Sequence, residues 1–201
     1  MKIYKITESV TASTNYCYPG VMEESLWSEQ KLFISECTET YELPIPYNVD
    51  NKIPPNDFPV CHNILVSKNF LEVIKKFNAD FNAYESQMHY NGKNKMAFMQ
   101  EHNDCDEIWD IYYTMQFPSY SLLNWDKSDF LKYYNDEINK TIVTRINKLI
   151  IDKNKIDVLN FKNNIFHLEE KKTFLLCTET AKQAIEEAGL TGIDFEEVPV
   201  E

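Results

Sequence analysis

The chain reads as an α+β protein built on a mixed, mostly antiparallel sheet with a few helices, closed at its C-terminus by a strand–helix–strand unit. Three observations predict this. Short apolar or alternating runs outnumber the helical stretches. The helices are not interleaved regularly with strands, as a doubly wound parallel sheet requires. The last thirty residues spell out a strand, a helix and a strand with recognisable punctuation. Hydrophobic content of 43%, with 13% aromatic, supports a real core in the 201 residues. One domain over residues 1–201 is expected, with 1–55 as a candidate N-terminal subdomain and 56–201 as the core.

In chain order, Ile3 to Ile6 alternates as a first strand. Tyr16 to Gln30 is ambiguous, with a turn at Pro19-Gly20. Lys31 to Glu36 reads as a strand. Residues 44–59 hold five prolines and read as an extended loop. Ile64 to Val66 is a short buried run, and Ser67 then caps a helix with Phe70, Leu71, Ile74 and Phe77 on one face. Lys95 to Gln100 alternates as a strand. Ile108 to Met115 and Tyr120 to Trp125 read as two strands turned at Pro118. Phe130 to Thr141 is read as helical, and Ile146 to Asp152 and Ile165 to Leu168 as strands. In the closing unit Thr173 to Cys177 is a strand. A helix follows over Thr178 to Gly189, with a capping box at Thr180 and Gln183, Ala181, Ala184, Ile185 and Ala188 on its inner face, and Gly189 as its left-handed terminator. Leu190 folds back on the last turn, and the second strand ends at Val198.

The net charge is −12, and it is unevenly spread. Residues 101–137 carry −7 and residues 176–201 carry −6, whereas residues 138–175 carry +4. Arg145 is the single arginine. Binding a nucleic acid takes clustered phosphate-neutralising cations, and the overall balance argues against it. It argues equally against anionic membrane surfaces. A basic protein partner is favoured, because complementary fields speed encounter. Five cysteines, at 17, 37, 61, 105 and 177, are odd in number and widely spaced, as suits reduced thiols in a cytoplasm. No signal core opens the chain, and no apolar run approaches a membrane span. The abundant lysine and asparagine look compositional.

The motifs of chemistry are thin. Glycine stands only at 20, 92, 189 and 192, so no phosphate-cradling loop can form. Cys61-His62 and His102-Asn-Asp-Cys105 lack the doubled short spacing of a structural zinc site. Asp104, Asp106 and Asp110 fail as a calcium loop, because Trp109 and Met115 stand where glycine and glutamate are needed. There is no Gly-x-Ser-x-Gly elbow. No catalytic residue, cofactor or metal is therefore expected. The candidate partner-binding residues are Glu101, Asp104, Asp106, Glu107, Trp109 and Asp110, where aromatics interleave with acids. A rival acidic patch comprises Glu186, Glu187, Asp194, Glu196 and Glu197.

Several positions taken in order resemble a bacterial immunity-protein family, formerly a domain of unknown function, whose members are encoded with polymorphic or contact-dependent toxins. They are Asp57-Phe58-Pro59, Val66-Ser67 opening a helix with Leu71, Asn124-Trp125-Asp126-Lys127-Ser128, Leu149-Ile150-Ile151-Asp152, Ile165-Phe166-His167-Leu168, and the block from Phe174 to Val198. The resemblance covers roughly residues 45–198. It implies a cytoplasmic protein without catalytic residues that binds and neutralises a cognate toxin. Two other readings stay open: an acidic scaffold or regulatory protein unrelated to toxins, and a small-molecule binder or enzyme.

Overall fold

The computed structural model describes residues 1–9, 16–19, 45–49, 56–61, 64–90, 107–137, 139–159 and 163–201. These form thirteen strands and three helices. The strands are β1 (Ile3–Glu8), β2 (Tyr16–Pro19), β3 (Ile45–Val49), β4 (Val60–Cys61), β5 (Leu65–Ser67), β6 (Asn82–Tyr90), β7 (Glu107–Gln116), β8 (Ser119–Tyr120), β9 (Asp129–Asn135), β10 (Lys140–Lys148), β11 (Ile165–Leu168), β12 (Lys171–Thr178) and β13 (Ile193–Val198). The helices are α1 (Lys68–Ile74), α2 (Lys153–Val158) and α3 (Glu179–Glu187). The class is α+β, with mostly antiparallel pairing and the strand–helix–strand unit β12–α3–β13 at the C-terminus.

One sheet has five strands in the order β13-β1-β12-β11-β8. Strand β1 is antiparallel to both β12 and β13, so the first strand of the chain lies inside the sheet made by the last ones. A second sheet has six strands in the order β4-β2-β3-β6-β7-β5, and β9 and β10 form a separate two-stranded ribbon. The first sheet is buried on both faces along β11 and the end of β12. Tyr4, Ile6, Ile165, Leu175 and Cys177 pack on one side with Phe70, Leu71 and Ile74 of α1 and Ala181 and Ile185 of α3. Ile3, Phe166, Leu168, Leu176 and Val198 pack on the other with Leu122, Ile151 and Ile156 of α2. Burial on both faces is why these strands read as continuous apolar runs rather than alternation. Each fully buried aliphatic or aromatic side chain contributes about 1.5–3 kcal/mol.

The second sheet keeps polar groups inside. The Tyr47 hydroxyl lies 2.9 Å from Thr114 Oγ1, which lies 2.8 Å from Ser86 Oγ. This chain lets three hydroxyls sit at strand centres without an unmet donor. Asp57 ties the two halves together. It accepts from Ser67 Oγ at 2.5 Å through one oxygen and from Thr191 N and Oγ1 at 3.0 Å through the other. Ser67 in turn caps α1 by accepting from Phe70 N at 3.2 Å.

The end of α3 is a Schellman closure. Gly189 has φ +65°, its N–H donates to Glu186 O at 3.0 Å, and Leu190 N donates to Ile185 O at 3.4 Å. The start of α3 differs from the sequence reading. Thr178, not Thr180, is the N-cap and accepts from Ala181 N, while Gln183 Nε2 donates to Glu179 Oε1. The cap lies two residues earlier, at the first residue of the expected Thr178 to Gly189 span, where β12 runs directly into the helix.

Other expectations are corrected. Phe130 to Thr141 is not helical: β9 and β10 pair antiparallel through a turn in which Asn139 takes φ +50°. Tyr133-Tyr134 and the β-branched run Thr141-Ile142-Val143-Thr144 favour strand, and this outweighed the helical spacing. The proline-rich stretch is not wholly loop, since Ile45–Val49 is strand β3 between β2 and β6. Pro46 is accommodated one residue beyond the last β2 pair, Pro19 with Tyr47. Pro118 does not turn a hairpin. The chain leaves the second sheet at Gln116 and joins the first through the short β8, which runs parallel to β11. Strand β10 ends at Lys148, and the buried Ile150 and Ile151 follow it as loop, held by an isolated bridge from Ile151 to Val200. Strand β6 and helix α2 had no counterpart in the sequence reading. The strands expected at Lys31 to Glu36 and Lys95 to Gln100 lie outside the described residues.

Candidate partner-binding surfaces

Of the six candidate residues, Glu101, Asp104 and Asp106 lie outside the described residues. Glu107, Trp109 and Asp110 are on the first half of β7, where Glu107 pairs with Tyr90 and Trp109 with Met88. A register shift falls there, from Gln87–Ile111 to Met88–Trp109, so Asp110 is the extra residue of a bulge.

The rival patch is fully described. Glu186 and Glu187 end α3, and Asp194, Glu196 and Glu197 lie on β13, all exposed. The pairing of β1 with β13 brings lysines to them. Lys5 is the cross-strand partner of Glu196, with Nζ 3.8 Å from its carboxylate, and Lys2 reaches Glu197 at 3.5 Å. Lys182 donates to Glu186 at 2.6 Å one helical turn away, and this bond raises the lysine's pKa. Such exposed pairs are screened by solvent and add little to stability. Glu187 and Asp194 have no ion pair among the described residues. At the other end of α3, Tyr4 Oη donates to Glu179, a short bond. It pushes the tyrosine hydroxyl up to about 12 and lowers the Glu179 carboxyl.

The ribbon β9–β10 was not among the sequence candidates. Its inner face carries Val143, which is buried, with Phe130 and Ile146 half-buried. Trp125 meets Phe130 edge-on at 5.2 Å, and Lys132 Nζ stands 5.3 Å from the Trp125 ring centre. The outer face follows from the register: Leu131 opposes Arg145, and Tyr133 opposes Ile142. Leu131 is 57% and Tyr133 48% exposed. Six large apolar side chains are exposed among the described residues, and four of them (Trp125, Leu131, Tyr133 and Tyr134) belong to this ribbon and its lead-in. Tryptophan, tyrosine and arginine are the residue types that dominate binding energy at interfaces. The available signal was the alternation of Phe130, Lys132 and Tyr134 against Leu131 and Tyr133.

Beside the base of the ribbon is a cleft of about 210 Å³, lined by Lys5, Lys148, Phe174, Glu196 and Glu197 among others. Its charges are mixed, and Lys5 lies over the Phe174 ring at 4.4 Å.

The interior titratable groups are held neutral. His167 is buried in β11, its Nδ1 has no hydrogen-bond partner among the described residues, and desolvation pulls its pKa down to about 4. Burial pushes the Cys177 thiol up. Cys17 is also buried and Cys61 half-buried, both as thiols. Among the described residues no three metal-ligating side chains converge, and no helix is long and apolar enough to cross a membrane.

No family model matches this chain. No curated protein matches it either.

Proposed function

We propose that this chain is a non-enzymatic immunity protein of the cytoplasm that binds and neutralises a cognate toxin through surface complementarity. The observation that carries the reading is the solvent face of α3 and β13. It presents Glu186, Glu187, Asp194, Glu196 and Glu197 on a helix and a paired strand, with lysines among the described residues answering three of them. Preorganised carboxylates suit a basic partner, and the fixed backbone keeps the ordering cost of binding low. The order of motifs from Asp57 to Val198 supports the toxin-linked reading, and Asp57 and Ser67 of that set are hydrogen-bonded to each other. The segment 101–110 is a second contact candidate on the same reasoning of charge and aromatic content.

Co-expression with the product of the adjacent gene tests this. Rescue of growth, and a co-purifying complex that weakens between 50 and 500 mM salt (both about, on the scale where surface charge is screened), are expected. Absence of both rescue and complex would leave the acidic scaffold reading in its place.

A further inference from the structure

We infer that the β9–β10 ribbon docks on the acidic α3–β13 surface of a second copy of this chain, forming a reciprocal two-fold dimer. Three features carry this. First, the ribbon's charge opposes that of the protein. Its two strands, Asp129–Asn135 and Lys140–Lys148, hold Lys132, Lys140, Arg145 and Lys148 against one carboxylate, Asp129, and the turn between them adds Asp136 and Glu137, a net of +1 in a chain of net charge −12. Second, its outer face is apolar at the centre and cationic beside it. Leu131, Tyr133 and Ile142 lie next to Arg145, which makes no ion pair among the described residues. A cationic, apolar strip calls for an anionic protein surface. The chain itself supplies one on α3 and β13. A polyanionic nucleic acid would be opposed by the net charge.

Third, the two surfaces border the same cleft. Lys148, at the end of β10, and Glu196 and Glu197, on β13, line it together. A two-fold axis passing near this cleft brings each copy's ribbon to the other's carboxylates, so every contact is made twice and the assembly closes. The size follows from strand geometry. A ribbon of seven paired residues is about 24 Å long and about 10 Å wide. Ribbon and acidic face together give each copy about 500 Å² of contact, which is below a standard interface. The dimer is therefore weak and salt-sensitive.

The inference does not rest on the toxin reading, because the chain alone tests it; a partner bound to the same face of α3 and β13 would displace the weak dimer. Sedimentation velocity of the full chain from about 1 to 200 μM, at about 50 and 500 mM salt, should show a monomer–dimer equilibrium weakened on the order of tenfold by salt. Arg145→Glu alone, and Glu187→Lys with Asp194→Lys, should each weaken it by a similar factor. Mixing the two variants should restore a heterodimer, because the reversed ribbon then meets the reversed face while the other contact stays wild-type. A misfolded variant could not produce that rescue. A wild-type monomer at the highest concentration overturns the inference. So does a dimer indifferent to both variants, or a mixture that fails to recover. Binding of a labelled single-stranded oligonucleotide by a monomer, lost in Arg145→Glu, would assign the ribbon to nucleic acid instead.

Discussion

Replacing Asn78 with alanine should remove more stability than any exposed substitution in the molecule. Asn78 lies just after α1 and is 6% exposed. Its Nδ2 donates to Ile165 O at 2.9 Å, and its Oδ1 accepts from Asn164 N at 2.8 Å and Ile165 N at 2.9 Å. The side chain thus stands in for a neighbouring strand at the start of β11. Ile165 is fully buried, so alanine would leave its N–H and C=O without partners. An unsatisfied buried group costs about 1–3 kcal/mol, giving a loss of about 4 kcal/mol for the pair. That is a large share of the 5–15 kcal/mol (about) that holds a domain together. For a chain of this length it corresponds to a fall in Tm of roughly 10 °C. Urea unfolding followed by tryptophan fluorescence would measure it. Asn147→Ala is the control, because among the described residues Asn147 donates, at 3.1 Å, only to exposed Asp129, and it should change stability by less than about 0.5 kcal/mol. A loss below about 1 kcal/mol for Asn78→Ala would refute the argument that this side chain completes the strand.

Two further predictions concern stability. The folded His167 takes a proton only near pH 4, whereas the unfolded one takes it near 6.5, so between those values the unfolded state holds more protons. Stability should therefore fall on acidification through that window, by up to about 3 kcal/mol from this residue, and level off below it; His167→Gln should flatten this slope in a pH series of urea midpoints, and an unchanged acid limb would count against it. Gly192→Ala should cost about 3 kcal/mol or more, because at φ +85° its Cβ would lie 2.6 Å from Phe58 O and 2.7 Å from Asn56 Cβ. Gly189→Ala, at φ +65° with nothing within 4 Å, should cost only about 1–2 kcal/mol, and thermal melting would reveal the contrast.

What could be read from the residues was what local chemistry dictates. Ser67 before Phe70, Leu71 and Ile74, and Gly189 before Leu190, are signals within one helical turn, and both determine the observed helix ends. The apolar runs at Ile165 and Leu175 were legible because two-sided burial leaves no alternation to misread. The ribbon was misread because Phe130, Leu131 and Tyr134 satisfy helical spacing as well as strand alternation, and only pairing with β10 separates the two. Asparagine was set aside as composition, yet buried Asn78 and Asn163 form a knot with half-buried Asn164. Asn163 Oδ1 accepts from Ala79 N at 2.9 Å and Asp80 N at 2.7 Å, and Asn164 Nδ2 donates to Phe77 O at 2.6 Å. The partners lie more than eighty residues apart in sequence, beyond the reach of any local pattern. For the same reason the acidic residues of β13 could be named from sequence, but not the lysines of β1 that answer them.

The position of β1 has a consequence for how the protein is made. Its two neighbours, β12 and β13, are translated long after it. At a synthesis rate of roughly 5–20 residues per second, Ile3–Glu8 waits on the order of ten to forty seconds outside the ribosome before its partners emerge. During that interval an alternating, apolar segment is open to pairing with other nascent chains. Lys2 and Lys5 place positive charge along it, and such charge discourages strands from joining edge to edge.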